Sequence, residues 1–385
     1  MEKILEWCSE QKGEARMNNG IETISNNKIL CTVKDKIISY HAGNLYLHKK
    51  NDERPQLLLN LPIKTWKRFC SKIRLVERLL RLEPRLALPV SDDEFVLSYQ
   101  GKIYKINVNN KEFIVEHTYR SRMNNTLAFC CENNVILYGE YFGNGKNEEV
   151  SIYKRTFSGV WKIVYTFQPN TIKHIHNIIY DKFRNCYWVL TGDKDDESAL
   201  WMADPEFTNL VPIFKGKQKY RSCFLIPVDN GIFYTTDTPL EDNGLYFSEF
   251  KNEKWLEPRL VYKISGPCIY ARKLNDDYYA FATSVEPDSS LQTSRYLVTS
   301  KLGKGVKDRY SHIYLYKVKT KELIEVAKLK KDLWPMLLFQ FGNVMFPNID
   351  IEYGFIITGQ SVEKYDGKSV KIVLESERIS HGYIK

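Results

Sequence analysis

Long hydrophobic runs are missing from this chain of 385 residues. No segment approaches about 18 consecutive apolar residues, which excludes a bundle of membrane-spanning helices. Paired cysteines are missing as well. The eight cysteines stand singly apart from Cys130-Cys131, with no C-x-x-C pair, so neither zinc-finger spacing nor the disulfide framework of a small secreted scaffold is present. The opening MEKILEWCSEQKGEARMNNG is charged and holds no continuous apolar stretch. It reads as neither signal peptide nor anchor, so the expected setting is cytoplasmic and reducing, with free thiols and no membrane association. The D-x-[DN]-x-[DN]-G loop of a calcium site is absent from TGDKDDESALW, and no cofactor or metal is expected. Basic residues are dispersed and carry no recognition motif, which argues against a nucleic-acid partner.

What is present is β-forming. Hydrophobic residues make up 43% and aromatics 13%, with 25 Tyr and 19 Phe, and aromatic side chains suit a pleated, half-buried surface. The net charge of +9 favours an anionic partner. Four short apolar runs, bounded by Gly, Asn, Asp or Pro, recur seven times. One round reads HIHNIIYD, CYWVLTGD, ALWMADPE and LVPIFKG, and the next reads SCFLIPV, GIFYTTD, GLYFSEF and RLVYKIS. The second run of each round ends at His41, Tyr99, Glu140, Asp193, Asp237, Glu286 and Gln360, a mean spacing of about 53 residues.

Recurrence of this kind predicts an all-β fold over residues 1–385: a seven-bladed β-propeller of four-stranded antiparallel blades, with six blades as the alternative. The seventh round lacks a fourth strand, and the N-terminal segment EKILEWC is expected to supply it and close the ring. Helical periodicity is confined to Thr65–Leu82, read as a short amphipathic helix in an interblade connection. Asp288–Arg309 is a long polar insertion between the second and third strands of round six.

Strand direction alternates along a meander, so second-strand ends and the loops entering each blade meet at one mouth of the central channel. That mouth is expected to collect Glu140, Asp193, Asp237 and Glu286, facing Arg120, Arg122, Lys173, His174, His176 and Arg221. Opposed charges in one concavity are what a site requires. His174 and His176, two apart on a strand, are expected to face one side and serve as acid and base. A metal needs a third ligand, and no further histidine stands at HxH…H spacing. Asp237 and Glu286 from adjacent blades suit paired-carboxylate chemistry, with Asp193 beside them. Arg221, Arg122, Arg120 and Glu140 are assigned to substrate, and Tyr234, Tyr99 and Tyr141 to stacking on sugar rings or to a phenolic acid.

The third-to-fourth strand turns YKRTFSGVWKIVY, WMADPEFTNLVPI and YFSEFKNEKWLEP resemble Asp-box turns, the S-x-D-x-G-x-T-W motif of BNR, sialidase-like propellers. Asp204 and Thr208 match in one turn, Trp161 and Trp255 in others, and no turn holds the whole motif. HIHNIIYD…TGD…ALWMAD is also similar to glycosyl-hydrolase-like propellers of bacterial polysaccharide loci. The resemblance implies the scaffold and the handling of glycans. The arginine triad of sialidases proper is not matched position by position.

Three functions stay open at this level. The first is hydrolysis of an acidic glycan by Asp237 and Glu286. The second is a polysaccharide lyase in which Arg221 neutralises a uronate while His174 or His176, with a Tyr, moves the proton. The third is a non-catalytic binding propeller.

Overall fold

The computed structural model describes residues 21–48, 55–132, 134–288, 295–349 and 354–374. The strands form seven antiparallel sheets around one channel. Blade four is representative: His174–Asp181, Cys186–Gly192, Ala199–Ala203 and Leu210–Lys215 run outward from the axis in sequence order. Blade five adds a short outer hairpin at Lys254–Trp255. Blade seven is composite. Asn343–Met345, Gly354–Gln360 and Ser369–Val373 are completed by Ile21–Ser25, with Ile21 opposite Ile372.

The seven-bladed prediction and closure by an N-terminal strand therefore hold, with a correction to which strand closes. IETISNNKILCTV is two strands: Ile21–Ser25 belongs to blade seven and Lys28–Val33 opens blade one. EKILEWC lies outside the described residues. The predicted helix also divides, into Thr65–Cys70 and Arg74–Leu79, with the Ser71 hydroxyl capping back onto the Arg68 carbonyl at the break. Its second half does not have a fully solvated polar face. Arg78 is buried against Asp332 and Asp366 of the blade-seven side, and Glu77 accepts from the Tyr40 hydroxyl.

The core lies between blades, where the alternating faces of neighbouring sheets interdigitate. Between blades four and five, Trp188, Leu190, Leu225, Ile232 and Tyr234 are almost wholly buried, each side chain contributing roughly 1.5–3 kcal/mol of transfer free energy. No helix among the described residues is long and apolar enough to cross a membrane. The seven described cysteines are all free thiols.

One local irregularity positions the site. In blades one, four, five and six the innermost strand carries a bulge, with Leu30, His176, Cys223 and Ile269 as the extra residues. A bulge re-aims the side chain of the unpaired residue. All four of these side chains line the central channel.

Candidate functional site

The channel holds two cavities of about 510 Å³ each, which share Lys28, Arg85, Leu127, Ile269, Tyr270 and Met345 in their walls. His174 and Asp193 line the upper one, at the second-strand ends, and His176 lines the lower. The histidine pair thus stands where the two cavities meet.

His174 pairs with Gly192 across the first hairpin of blade four, which brings Asp193 beside it. Gly192 is needed there for space: a Cβ would sit 2.8 Å from His176 Cε1 and 2.9 Å from Arg221 Cγ. His174 Nδ1 faces the Phe142 carbonyl at 3.3 Å and His176 Nδ1 faces the Ser222 carbonyl at 3.0 Å. Both contacts require Nδ1–H, which leaves each Nε2 as a lone pair. The two Nε2 atoms lie 3.2 Å apart, and Asp193 Oδ1 is 3.3 Å from one and 3.4 Å from the other. Lys173 Nζ holds Asp193 Oδ2 at 2.7 Å, and Arg221 approaches Oδ1 at 3.3 Å. Burial works against the Asp193 charge, but the opposing pull of its partners, Arg221 among them, holds its carboxyl well below the usual range.

Beneath Arg221 lie Asp237 and Glu286. The Arg221 Nε is 3.6 Å from Asp237 Oδ2, which also accepts from the Cys223 thiol at 3.2 Å. Glu286 accepts from Ser284. Burial pushes Asp237 up to about 7 against the pull of Arg221, and the neighbouring Glu286 adds to the rise. Burial also raises Glu286, again opposed by Arg221. Two carboxyls this enclosed resist ionising together.

The sequence therefore brings His174, His176, Asp193, Arg221, Asp237 and Glu286 into one cluster, but at two depths. Asp237 and Glu286 are 4% and 6% exposed and do not line the cavities, and Arg221 is enclosed by its carboxylate partners. Glu140 is occupied elsewhere: it accepts from the Ser151 amide and from Arg120, and Arg120 lies over the Phe142 ring at 4.9 Å. Arg122 does line the upper cavity.

The assignments of Tyr99 and Tyr234 to substrate need correction. Both rings are fully buried in interblade clusters, Tyr99 with Tyr40 and Leu97, Tyr234 stacked on Tyr246. Period-two alternation turns each of these side chains away from the channel. The tyrosine at the site is Tyr141, which lines the upper cavity with its ring 4.3 Å from that of His174. Sequence reasoning missed Lys28, Arg81 and Arg85, all lining the upper cavity. Lys28 stands at the same distance before the blade-one bulge as His174 does before the blade-four bulge, which is the signal that marks it.

The cluster has the donor set for a metal. His174, His176 and Asp193 form one group of converging ligand atoms, and His176, Cys223 and Asp237 form a second, deeper one. The third ligand that HxH spacing lacked comes from across the hairpin.

No protein-family model matches the chain, and no curated protein matches it in sequence. Solved structures match in fold. The chain is similar to an oligogalacturonate lyase from Vibrio parahaemolyticus, with 12% identity, a TM-score of 0.56 and coverage of 94% of this chain and 93% of that one. It is similar to an oligogalacturonate lyase in complex with manganese, with 10% identity, a TM-score of 0.53 and coverage of 93% and 91%. It is also similar to a chain of a mitotic checkpoint complex, with 8% identity, a TM-score of 0.53 and coverage of 94% and 98%. These likenesses establish the seven-bladed fold. The Asp204 turn closes on itself, its carboxylate accepting from Glu206, Thr208 and Asn209, as any Asp-capped turn does, and the solved structures above do not carry the BNR resemblance further.

Proposed function

We propose that this propeller cleaves short acidic glycans by β-elimination at the upper cavity. One observation carries the reading: the lining brings five cationic side chains, Lys28, Arg81, Arg85, Arg122 and Lys173, against two acidic ones, Glu83 and Asp193, while the carboxylates suited to hydrolysis are sealed beneath Arg221. Guanidinium groups bind carboxylates in a bidentate fork, so a lining of this kind suits an oligouronate. The hydrolytic reading asks Asp237 and Glu286 to reach a glycosidic oxygen from positions committed to Arg221, Cys223 and Ser284. Two solved structures of the same fold are oligogalacturonate lyases, which supports the same substrate class.

Elimination removes the proton on the carbon next to the uronate carboxylate, breaks the C–O bond to the leaving sugar and forms a carbon–carbon double bond. Positive charge near the carboxylate makes that proton more acidic. Arg85 and Arg122 hold the substrate carboxylates and supply that positive charge. Lys28 takes the proton. It is 5% exposed, its Nζ donates to the Met345 thioether at 3.3 Å, and burial lowers its pKa, which favours the neutral amine. The Tyr141 hydroxyl returns a proton to the departing oxygen.

The test is incubation with oligogalacturonate. A rise in the ultraviolet absorbance of an unsaturated uronate is expected, and it should vanish in Lys28→Met. New reducing ends without that absorbance would mean hydrolysis and would overturn the proposal.

A further inference from the structure

We propose that His174 Nε2, His176 Nε2 and Asp193 Oδ1 bind one divalent first-row transition-metal ion. The inference goes beyond the lyase reading and stands without it.

Its basis is a local conflict. With each Nδ1–H donated to a backbone carbonyl, the three converging atoms are all acceptors. They nonetheless lie 3.2, 3.3 and 3.4 Å from one another with the histidines 5% and 3% exposed. Three lone pairs aimed at one point repel unless a cation sits among them. A proton on one nitrogen settles one contact and leaves the others.

The spacing matches a metal. Edges near 3.3 Å define a tetrahedron whose centre is about 2.0 Å from each corner, within the usual Zn–N and Zn–O range. No fourth His, Cys, Asp or Glu among the described residues joins this group, and the upper cavity, lined by His174 and Asp193, is where a substrate oxygen would enter. Two imidazoles and one carboxylate favour borderline first-row ions over Mg²⁺ or Ca²⁺, which prefer all-oxygen shells.

The surroundings hold these ligands in place. The two carbonyls fix the imidazole tautomers, as outer partners do in metal sites. The bulge aims His176, Gly192 leaves room for its ring, and Lys173 with Arg221 orients the Asp193 carboxylate. The acidic pair under Arg221 offsets its charge, so the pocket tolerates a dication above it.

The experiment uses the full chain, stripped with chelator and titrated with Co²⁺ and Zn²⁺. Wild type should take up one equivalent, with the visible absorption of four-coordinate Co²⁺ and a higher melting temperature in Zn²⁺. His174→Gln and Asp193→Asn should each weaken uptake at least 100-fold while keeping the far-ultraviolet circular dichroism of the wild type. Should either fail to fold, His176→Gln and a competition titration against a metal indicator give the same readout. Absence of stoichiometric uptake by wild type, or equal uptake by the variants, overturns the proposal. Loss of lyase activity alone leaves the metal measurement unaffected, so the two proposals fail separately.

Discussion

Asp193 and Asp237 occupy the same position in neighbouring blades, each one residue past the second strand, and share Arg221 between them. Their proton affinities nonetheless move in opposite directions. Asp193 is partly open and is held by Lys173 and Arg221, so its charge is stabilised despite burial. Asp237 is sealed, has Glu286 as neighbour, and finds no partner for Oδ1 among the described residues. Register sets the address of a carboxylate, and the depth of its surroundings sets its charge.

A dependence of stability on pH follows from Asp237. Its folded pKa of about 7 lies above the ordinary carboxylate value of roughly 4, so the folded protein binds more protons between the two. The contribution is fully present below about pH 4 and is lost as pH rises through about 7. Between about pH 5 and about pH 8, wild type should lose about 1–3 kcal/mol more stability than Asp237→Asn in urea titrations. Equal losses would remove Asp237 as the cause. Asp193 acts with the opposite sign: its contribution is present above about pH 4 and disappears only in stronger acid.

Two tyrosine variants separate site from core. Tyr141→Phe should reduce kcat on oligogalacturonate by about 100-fold or more, with little change in melting temperature. Tyr234→Phe should leave kcat and KM unchanged and be neutral or slightly stabilising, because its buried hydroxyl meets no hydrogen-bond partner among the described residues. A kinetic defect in Tyr234→Phe would place that ring at the site after all.

Gly192→Ala presses a methyl group against His176 and Arg221. The expected cost is about 1–3 kcal/mol in denaturant midpoint, with Co²⁺ uptake impaired beyond what the stability change explains. A variant with normal uptake would show that the His176 ring is not held by this contact.

Arg85 and Arg122 line the cavity, and Arg122 pairs with no carboxylate among the described residues, which leaves it free for substrate. Arg122→Ala should raise KM for a charged oligouronate by about 10-fold or more with a smaller change in kcat, and added salt should narrow the gap between variant and wild type. Equal kinetics on the charged oligomer would exclude it from binding.

Much of this was legible because a propeller repeats one rule. Seven apolar strand quartets with second-strand ends about 53 residues apart gave the blade number, and meander geometry gave the mouth. His174, His176, Asp193 and Arg221 followed from position alone. Depth did not follow. Whether a strand-end carboxylate opens to the cavity, as Asp193 does, or lies under an arginine, as Asp237 does, depends on neighbouring blades that spacing does not encode. The stacking role given to Tyr99 and Tyr234 took no account of parity, and their side chains point between blades. The metal-ligand search along the strand missed Asp193 because the partner lies across a hairpin, opposite by register. The bulges that aim His176 and Cys223 carry no residue signature and emerge only from pairing.

Blade seven has a consequence for how the chain is made. Ile21–Ser25 leaves the ribosome before any complete blade, and its partner Ser369–Val373 leaves after the other six, about 350 residues later. At typical elongation rates that is a wait of roughly 20–70 s, during which a β-edge that ends buried around Ile24 has no native neighbour. The finished ring has no loose edge between first and last blade, whereas the nascent chain does. Its vulnerability to edge-to-edge association belongs to biosynthesis, and chaperone demand should track the delay before residue 373 emerges rather than the stability of the closed ring.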